Sequence, residues 1–176
     1  TMIPLGGLAQ GHESLAPLLV DIDQVHPHPD NPWNGDTDAI ATSIEINGLY
    51  RPVYARKDGT LLAGNHTTAA LLSLGADKVP VVWLDVDDAT ARRILLVDNR
   101  SAQLGTYDDN LLLSLLDTIA TDDTLLGTGW ADQDLEDLRQ LVTRLDHAGF
   151  ATIPPDLPTA HTCPACGYEW NGNAQP

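Results

Sequence analysis

The stretch Thr60-Leu61-Leu62-Ala63-Gly64-Asn65-His66-Thr67-Thr68-Ala69-Ala70-Leu71-Leu72-Ser73-Leu74-Gly75 decides how the chain is read. Four residues of strand character end at Gly64. The spacing then predicts a helix over 66–74, with Ala69, Ala70 and Leu74 on one side and Gly75 past its end. A strand that turns directly into a helix presents unpaired backbone N–H groups and the positive end of the helix dipole. Gly64 lets a ligand approach the main chain, and threonine hydroxyls add donors. Gly64, Asn65, His66, Thr67 and Thr68 are therefore candidate phosphate-binding residues. The competing reading is an ordinary helix start capped by the side chain of Asn65 or Thr67.

Working outward, Asp58-Gly59 joins Pro52–Arg56 to Thr60–Ala63 as a β-hairpin, the strongest short-range signal in the chain. Further upstream, Asp36 or Thr37 caps a helix with Ile40, Ala41 and Ile44 on its apolar side, closed by Asn47-Gly48. Leu18-Leu19-Val20 reads as a short strand, and the three prolines of 26–32 forbid helix and sheet there. Residues 1–16, rich in Gly, Pro and Ala and without periodicity, are expected to form a flexible leader. Downstream, Val79–Val86 is a continuous apolar strand suited to a sheet interior. Asp87-Asp88 cap a helix over 89–97 whose Ala91, Ile94 and Leu95 face inward.

That helix leads into Asp98-Asn99-Arg100. A carboxylate beside an amide oxygen is hard-ligand chemistry, and Mg²⁺ takes one or two such protein ligands and leaves the rest to phosphates. Asp98 and Asn99 are the candidate Mg²⁺ ligands, and Arg100 can hold a phosphate with its planar fork; the alternative is a polar helix end with Asn99 as its cap. Asn31-Pro32-Trp33 and Leu49-Tyr50-Arg51-Pro52 read as ordinary loops, with Arg51 a second cation able to neutralise phosphate.

Composition sets the outer limits. With 176 residues and 18.9 kDa, the chain favours one compact domain and a tail, and a chain of this size buries roughly 70% of its unfolded surface. No apolar run approaches the ~20 residues of a membrane helix. The formal charge is −16, with 13 acids against 7 bases over 1–100 and 12 against 2 over 101–176. That field repels a phosphate backbone and argues against direct sequence-specific DNA binding. Thr1 reads as a processing scar before Met2, no signal peptide is apparent, and the cytoplasm is the expected compartment.

Residues 105–147 are expected as a helical extension, with helices over 107–120 and 132–145 joined by Gly127-Thr128-Gly129-Trp130. Pro154-Pro155 and Pro158 mark an extended linker within 148–176, followed by His161-Thr162-Cys163-Pro164-Ala165-Cys166-Gly167. Cys-x-x-Cys in a reducing compartment reads as metal before disulfide. Zinc wants four ligands, and Cys163 and Cys166 supply two; His161, His147 or the same knuckle of a second chain can complete the set. A reduced dithiol is the alternative.

Taken in order, several motifs resemble the ParB/sulfiredoxin superfamily domain, more narrowly the small ParB-like proteins of actinobacteria and their phages. They are Ile22 with His28-Pro29-Asp30-Asn31-Pro32, Asn47-Gly48-Leu49-Tyr50-Arg51-Pro52-Val53, Ala63-Gly64-Asn65-His66, Val79–Asp85 and Leu96-Val97-Asp98-Asn99-Arg100. The resemblance covers about 17–145, with the domain itself over 17–104. It implies an α/β fold, a mixed sheet with packed helices, and nucleotide chemistry at the Gly64 helix, where ParB proteins bind and hydrolyse CTP, sulfiredoxin uses ATP and a free-serine kinase shares the fold. Asn65 stands where sulfiredoxin has its reactive cysteine, which excludes sulfinic acid repair. His66 and Thr67 stand where ParB has two arginines, whereas Asp98-Asn99 matches the Glu-Asn pair that holds Mg²⁺ in ParB.

The resemblance thus implies a Mg²⁺-dependent phosphotransferase or nucleoside triphosphate hydrolase, or a nucleotide-gated switch, with His66 and Asp98 as its catalytic residues. The rival is a non-catalytic adaptor in phage or DNA-modification and partition metabolism, bound to a protein partner or to a second copy through the tail. A ParB-like nuclease ranks below both, because the chain has no acidic cluster of its own.

Overall fold

The computed structural model describes residues 1–147 and 161–170. In chain order its elements are β1 (Met2–Gly6), β2 (Ala9–His12), β3 (Leu19–Asp21), α1 (Thr37–Asn47), β4 (Val53–Arg56), β5 (Leu61–Ala63), α2 (Asn65–Ser73), β6 (Lys78–Leu84), α3 (Asp88–Ser101), α4 (Asp109–Asp122) and α5 (Asp132–His147), then β7 (His161–Thr162) and β8 (Glu169–Trp170). The chain divides into two compact units, Thr1–Val142 and Thr143–Pro176. Among the described residues no helix is long and apolar enough to cross a membrane.

The sheet of the first unit has the order β3-β6-β4-β5. β6 runs antiparallel to β3 and parallel to β4, while β4 and β5 form the antiparallel hairpin. The Asp58-Gly59 turn closes it: Gly59 takes φ +92° and the Thr60 N–H donates to Asp58 Oδ1 at 3.0 Å. The parallel β4–β6 pair needs a crossover, which α2 supplies. Leu61, Leu71 and Val79 have no exposed surface, and each burial contributes about 2 kcal/mol.

Three helices start on an aspartate that accepts a first-turn N–H: Asp36 from Ala39 (2.9 Å), Asp87 from Thr90 (2.7 Å) and Asp108 from Leu111 (3.0 Å). Such caps satisfy donors that the helix itself leaves unpaired.

Residues 1–16 are not a leader. β1 and β2 pair as a hairpin, Leu5 and Ala9 are buried, and Leu5, Ala9 and Leu15 belong to the main core. The glycines that suggested looseness set the turn: Gly6 and Gly7 have φ of +101° and +54°, and Gly7 lies so close to α2 that a Cβ would stand 2.1 Å from the Leu74 carbonyl oxygen. Two helix details also differ from the sequence reading. α2 buries Thr67, Thr68, Ala70 and Leu71 and exposes Ala69, because its inner side follows the sheet rather than the most apolar arc. α3 continues past 97 to Ser101, so Asp98, Asn99 and Arg100 are helical and Asn99 is not a cap.

α4 and α5 share a second cluster of Leu116, Leu125, Leu135 and Leu138. Trp130 meets Tyr107 edge-on at 5.7 Å, and Arg139 Nε donates to Asp117 at 3.1 Å. Their connecting turn touches α1, where Asn47 Nδ2 donates to the Gly127 carbonyl at 2.9 Å. In the second unit, β7 and β8 pair antiparallel, His161 opposite Trp170 and Thr162 opposite Glu169. The linker at 148–160 lies outside the described residues.

Candidate functional site

Gly64 is the N-cap of α2. It sits in the left-handed region with φ +89°, and no side chain caps the helix. Only glycine takes this place without strain: a Cβ would lie 2.5 Å from Val53 Cγ1 and 2.9 Å from Val53 Cβ. The first turn of α2 also carries no acid. The alternative of a cap by Asn65 or Thr67 is therefore not what the structure has. Asn65 Oδ1 accepts from the His28 N–H at 2.9 Å, across to the proline-rich loop.

His66 Nε2 accepts from the Gly35 N–H at 2.9 Å. With that nitrogen as acceptor, the proton of the neutral ring resides on Nδ1. Gly35 is held close: a Cβ there would lie 3.1 Å from Trp33 Nε1 and 3.2 Å from His66 Cγ. Thr68 is buried and its hydroxyl donates to the Gly64 carbonyl at 3.1 Å. It holds the turn and does not line the cavity.

In front of α2 lies a cavity of about 260 Å³, lined by Gly64, Asn65, His66 and Thr67, by Arg51, by Asp98 and Asn99, and by Trp33, Gly35, Ile40, Ala102 and Gln103. The two motifs separated by thirty-odd positions in the sequence thus face one space. Asn99 uses its amide nitrogen for both hydrogen bonds of its side chain, to the Leu95 carbonyl (3.0 Å) and Asn31 Oδ1 (3.3 Å). Its Oδ1 remains an acceptor beside the exposed Asp98 carboxylate. An oxygen pair of this kind fits a hard cation whose other positions are filled by phosphate and water. Among the described residues, no three His, Cys, Asp or Glu side chains come together as a complete metal site.

Arg100 is outside the lining; its Nη1 donates to Gln103 Oε1 at 2.9 Å. A second cavity of about 210 Å³ shares Ile40, Arg51 and Thr67 with the first and is walled by Ser43, Leu49, Tyr50 and the Gly127–Gly129 turn. Sequence reasoning missed Gly35, Ile40, Ala102 and Gln103 as lining residues, and it passed over Trp33 as loop chemistry. The local signal was the single Gly35 two residues after Trp33.

The architecture has counterparts. No family model matches the chain. The chromosome-partitioning protein Spo0J of Thermus thermophilus is 30% identical over 106 residues, covering 53% of this chain and 39% of that one. The C-terminally truncated chromosome-partitioning protein ParB of Caulobacter crescentus, solved with CTP-γ-S, superposes with a TM-score of 0.59 at 16% identity, covering 71% of this chain and 77% of that one. The chain has a ParB-like fold. The chain spans well under half the length of Spo0J. The same Caulobacter protein bound to its centromeric parS site matches at a TM-score of 0.39 over 70% of this chain.

In the tail, the Cys163 N–H donates to the Tyr168 carbonyl at 2.7 Å and the Gly167 N–H to the Cys163 carbonyl at 2.8 Å. The Cys163 thiol is pushed below its ordinary value by the N–H of Ala165, then by the N–H and side chain of Cys166. Both cysteines are free thiols. The described residues do not bring His161 into a three-ligand group with them, and the side chain of His147 lies outside the described residues.

Proposed function

We propose that the ParB-like domain binds a nucleoside triphosphate in the cavity between α2 and α3. The observation that carries this is the meeting, in one space, of an uncapped helix N-terminus with Arg51, Asp98 and Asn99. Phosphate oxygens would accept from the backbone N–H groups of Asn65, His66 and Thr67, where the dipole of α2 adds attraction. The Nδ1–H of His66 and the guanidinium of Arg51 would add two further donors, and Arg100 would act through Gln103.

Asp98 and Asn99 would hold Mg²⁺, which when bound neutralises phosphate charge and orients the terminal phosphate. Hydrolysis or transfer would rest on His66, as proton donor toward the phosphate, and on Asp98. The cavity of about 260 Å³ suits the phosphates, and its neighbour of about 210 Å³ leaves room for the nucleoside. The solved ParB neighbour held a CTP analogue, so CTP heads the panel to be tried.

The test is thermal unfolding of the purified chain with each nucleotide, with and without Mg²⁺. A ligand at one hundred times its Kd stabilises by about 2.7 kcal/mol. A rise in Tm for one nucleotide that needs Mg²⁺ is expected, and no shift with any nucleotide at millimolar concentration rejects the reading. A second reading, the non-catalytic adaptor, has one observation of its own: Leu111 and Leu115, one turn apart on α4, are 70% and 58% exposed. For DNA, we expect no mobility shift of duplex at physiological salt.

A further inference from the structure

The loop over 28–35 is tied to both helices that bound the cavity. The His28 N–H donates to Asn65 Oδ1 at 2.9 Å and the Gly35 N–H to His66 Nε2 at 2.9 Å, so two successive residues of α2 hold its two ends. Between them the Asn31 N–H donates to the His28 carbonyl at 3.1 Å, and Pro32 fixes the φ that follows. This presents the half-buried Asn31 side chain to Asn99 of α3. We infer that Asn31 is a positioning residue: from outside the cavity lining, it holds the side-chain amide of Asn99 so that the Asn99 oxygen is free to take a cation. The inference rests on the reading of this cavity as a Mg²⁺–nucleotide site and states how one ligand of that site is set.

An amide side chain has a donor end and an acceptor end, and its neighbours decide which way it lies. A backbone N–H can only donate and a carbonyl can only accept. Trp33 offers Asn31 both: its N–H donates to Asn31 Oδ1 at 3.3 Å, and its carbonyl accepts from Asn31 Nδ2 at 3.4 Å. Asn31 Oδ1 is thereby fixed as an acceptor, and it also receives Asn99 Nδ2 at 3.3 Å. The Leu95 carbonyl, at 3.0 Å, takes the same nitrogen. Turning the Asn99 amide over would set its oxygen against two acceptors and lose both bonds. Because the amide is planar, holding Nδ2 toward Leu95 and Asn31 directs Oδ1 away from them. The Leu95 bond lies within one turn of α3 and does not need the loop; the second bond, from another direction, stops the side chain from rotating. Outer partners of this kind orient a metal ligand, and losing one typically weakens metal binding about 10–100-fold.

The experiment uses the full chain and reads two quantities. The first, on the ligand-free protein, is the Asn99 side-chain amide in a heteronuclear NMR spectrum, assigned by its loss in Asn99→Ser. Two well-separated proton resonances that exchange slowly with solvent are expected. In Asn31→Ala they are expected to exchange about fivefold faster, whereas Asn31→Asp keeps an acceptor in place and holds the amide as the native chain does. The second is the Mg²⁺ concentration at half of the nucleotide-induced rise in Tm, with CTP tried first. It is expected to increase at least about tenfold in Asn31→Ala and not to increase in Asn31→Asp. The native spectrum decides by itself should Asn31→Ala fail to fold: a native Asn99 amide that exchanges as fast as an exposed one overturns the inference, whatever the nucleotide result. An Asn31→Asp chain that has lost the held amide overturns it too. A native rise in Tm that needs Mg²⁺, beside an unchanged Mg²⁺ midpoint in Asn31→Ala, overturns the inference and leaves the nucleotide reading standing. A held amide in a chain that no nucleotide stabilises rejects that reading, and the metal role of Asn31 with it.

Discussion

The N-termini of α2 and α3 lie in the same unit and were built on opposite principles. At α3, Asp87 receives the Thr90 N–H at 2.7 Å and Asp88 follows in the first turn, so the helix end is closed by its own side chain. At α2, Gly64 takes the cap position with φ +89°, no side chain closes the end, and no acid sits in the first turn of a chain that carries 25 acids. Closing a helix end satisfies its donors and stabilises the fold. Leaving it open forgoes that stabilisation and keeps the donors for something else. The difference teaches where stability was given up, and the cavity with Arg51, Asp98 and Asn99 lies at that place.

Four substitutions or conditions test this contrast, beginning with the largest effect. Gly64→Ala forces a side chain into the left-handed region and places its Cβ 2.5 Å from Val53 Cγ1; left-handed strain and overpacking together predict a loss of about 2–5 kcal/mol. Urea unfolding measures it, and a loss under 1 kcal/mol would mean that Val53 moves aside and the turn is not specific to glycine. Asp87→Ala removes a cap and is expected to cost about 1 kcal/mol while leaving any nucleotide-induced rise in Tm intact. If that rise disappears as well, the two helix ends are not independent and the contrast fails.

Asp98→Asn acts at the other end of α3, on an exposed side chain. Stability is expected to change by no more than about 0.5 kcal/mol, and the Mg²⁺-dependent part of the nucleotide shift is expected to vanish. An unchanged Mg²⁺ requirement, measured by titration with and without the metal, removes Asp98 from the site. The smallest effect is the pH dependence of the α3 cap. The Thr90 N–H, followed by the Thr90 side chain and the charges of Arg93 and Arg56, holds the Asp87 carboxyl below its ordinary value. Its contribution is therefore present above the unfolded value of about 3.9 and is lost as pH falls through the lower folded value. The stability gap between the native chain and Asp87→Ala is expected to close in that acid window, whereas α2 has no titrating cap and shows no such term. A gap that persists to pH 2 contradicts the assignment.

Much of this was legible in the residues. Asp36, Asp58-Gly59 and Asp87 each announce a local hydrogen-bonding event that needs only near neighbours, and each occurs where the sequence places it. The Gly64 transition was equally clear, as was the interior position of β6. The first sixteen residues were not. Gly6 and Gly7 look the same in a loose segment and in a tight turn, and only the packing of Leu5 and of the Leu74 carbonyl tells the two apart. Thr68 and Asn65 were chemically plausible ligands, but the first spends its hydroxyl on the Gly64 carbonyl and the second ties down His28.

By itself, then, the sequence determined the local grammar: where helices begin, where the hairpin turns, and that Gly64 opens α2. Those features depend on contacts within four or five residues and on backbone preferences that residue type dictates. Only the tertiary structure decided that Asp98 and Asn99 are helical and face Gly64, that Trp33, Gly35 and Gln103 wall the same space, and that Arg100 stands one residue removed from it. That outcome depends on how α3 packs along the sheet through Ala91 and Leu95, and apolar packing, being non-directional, leaves no local mark on which polar residues will meet.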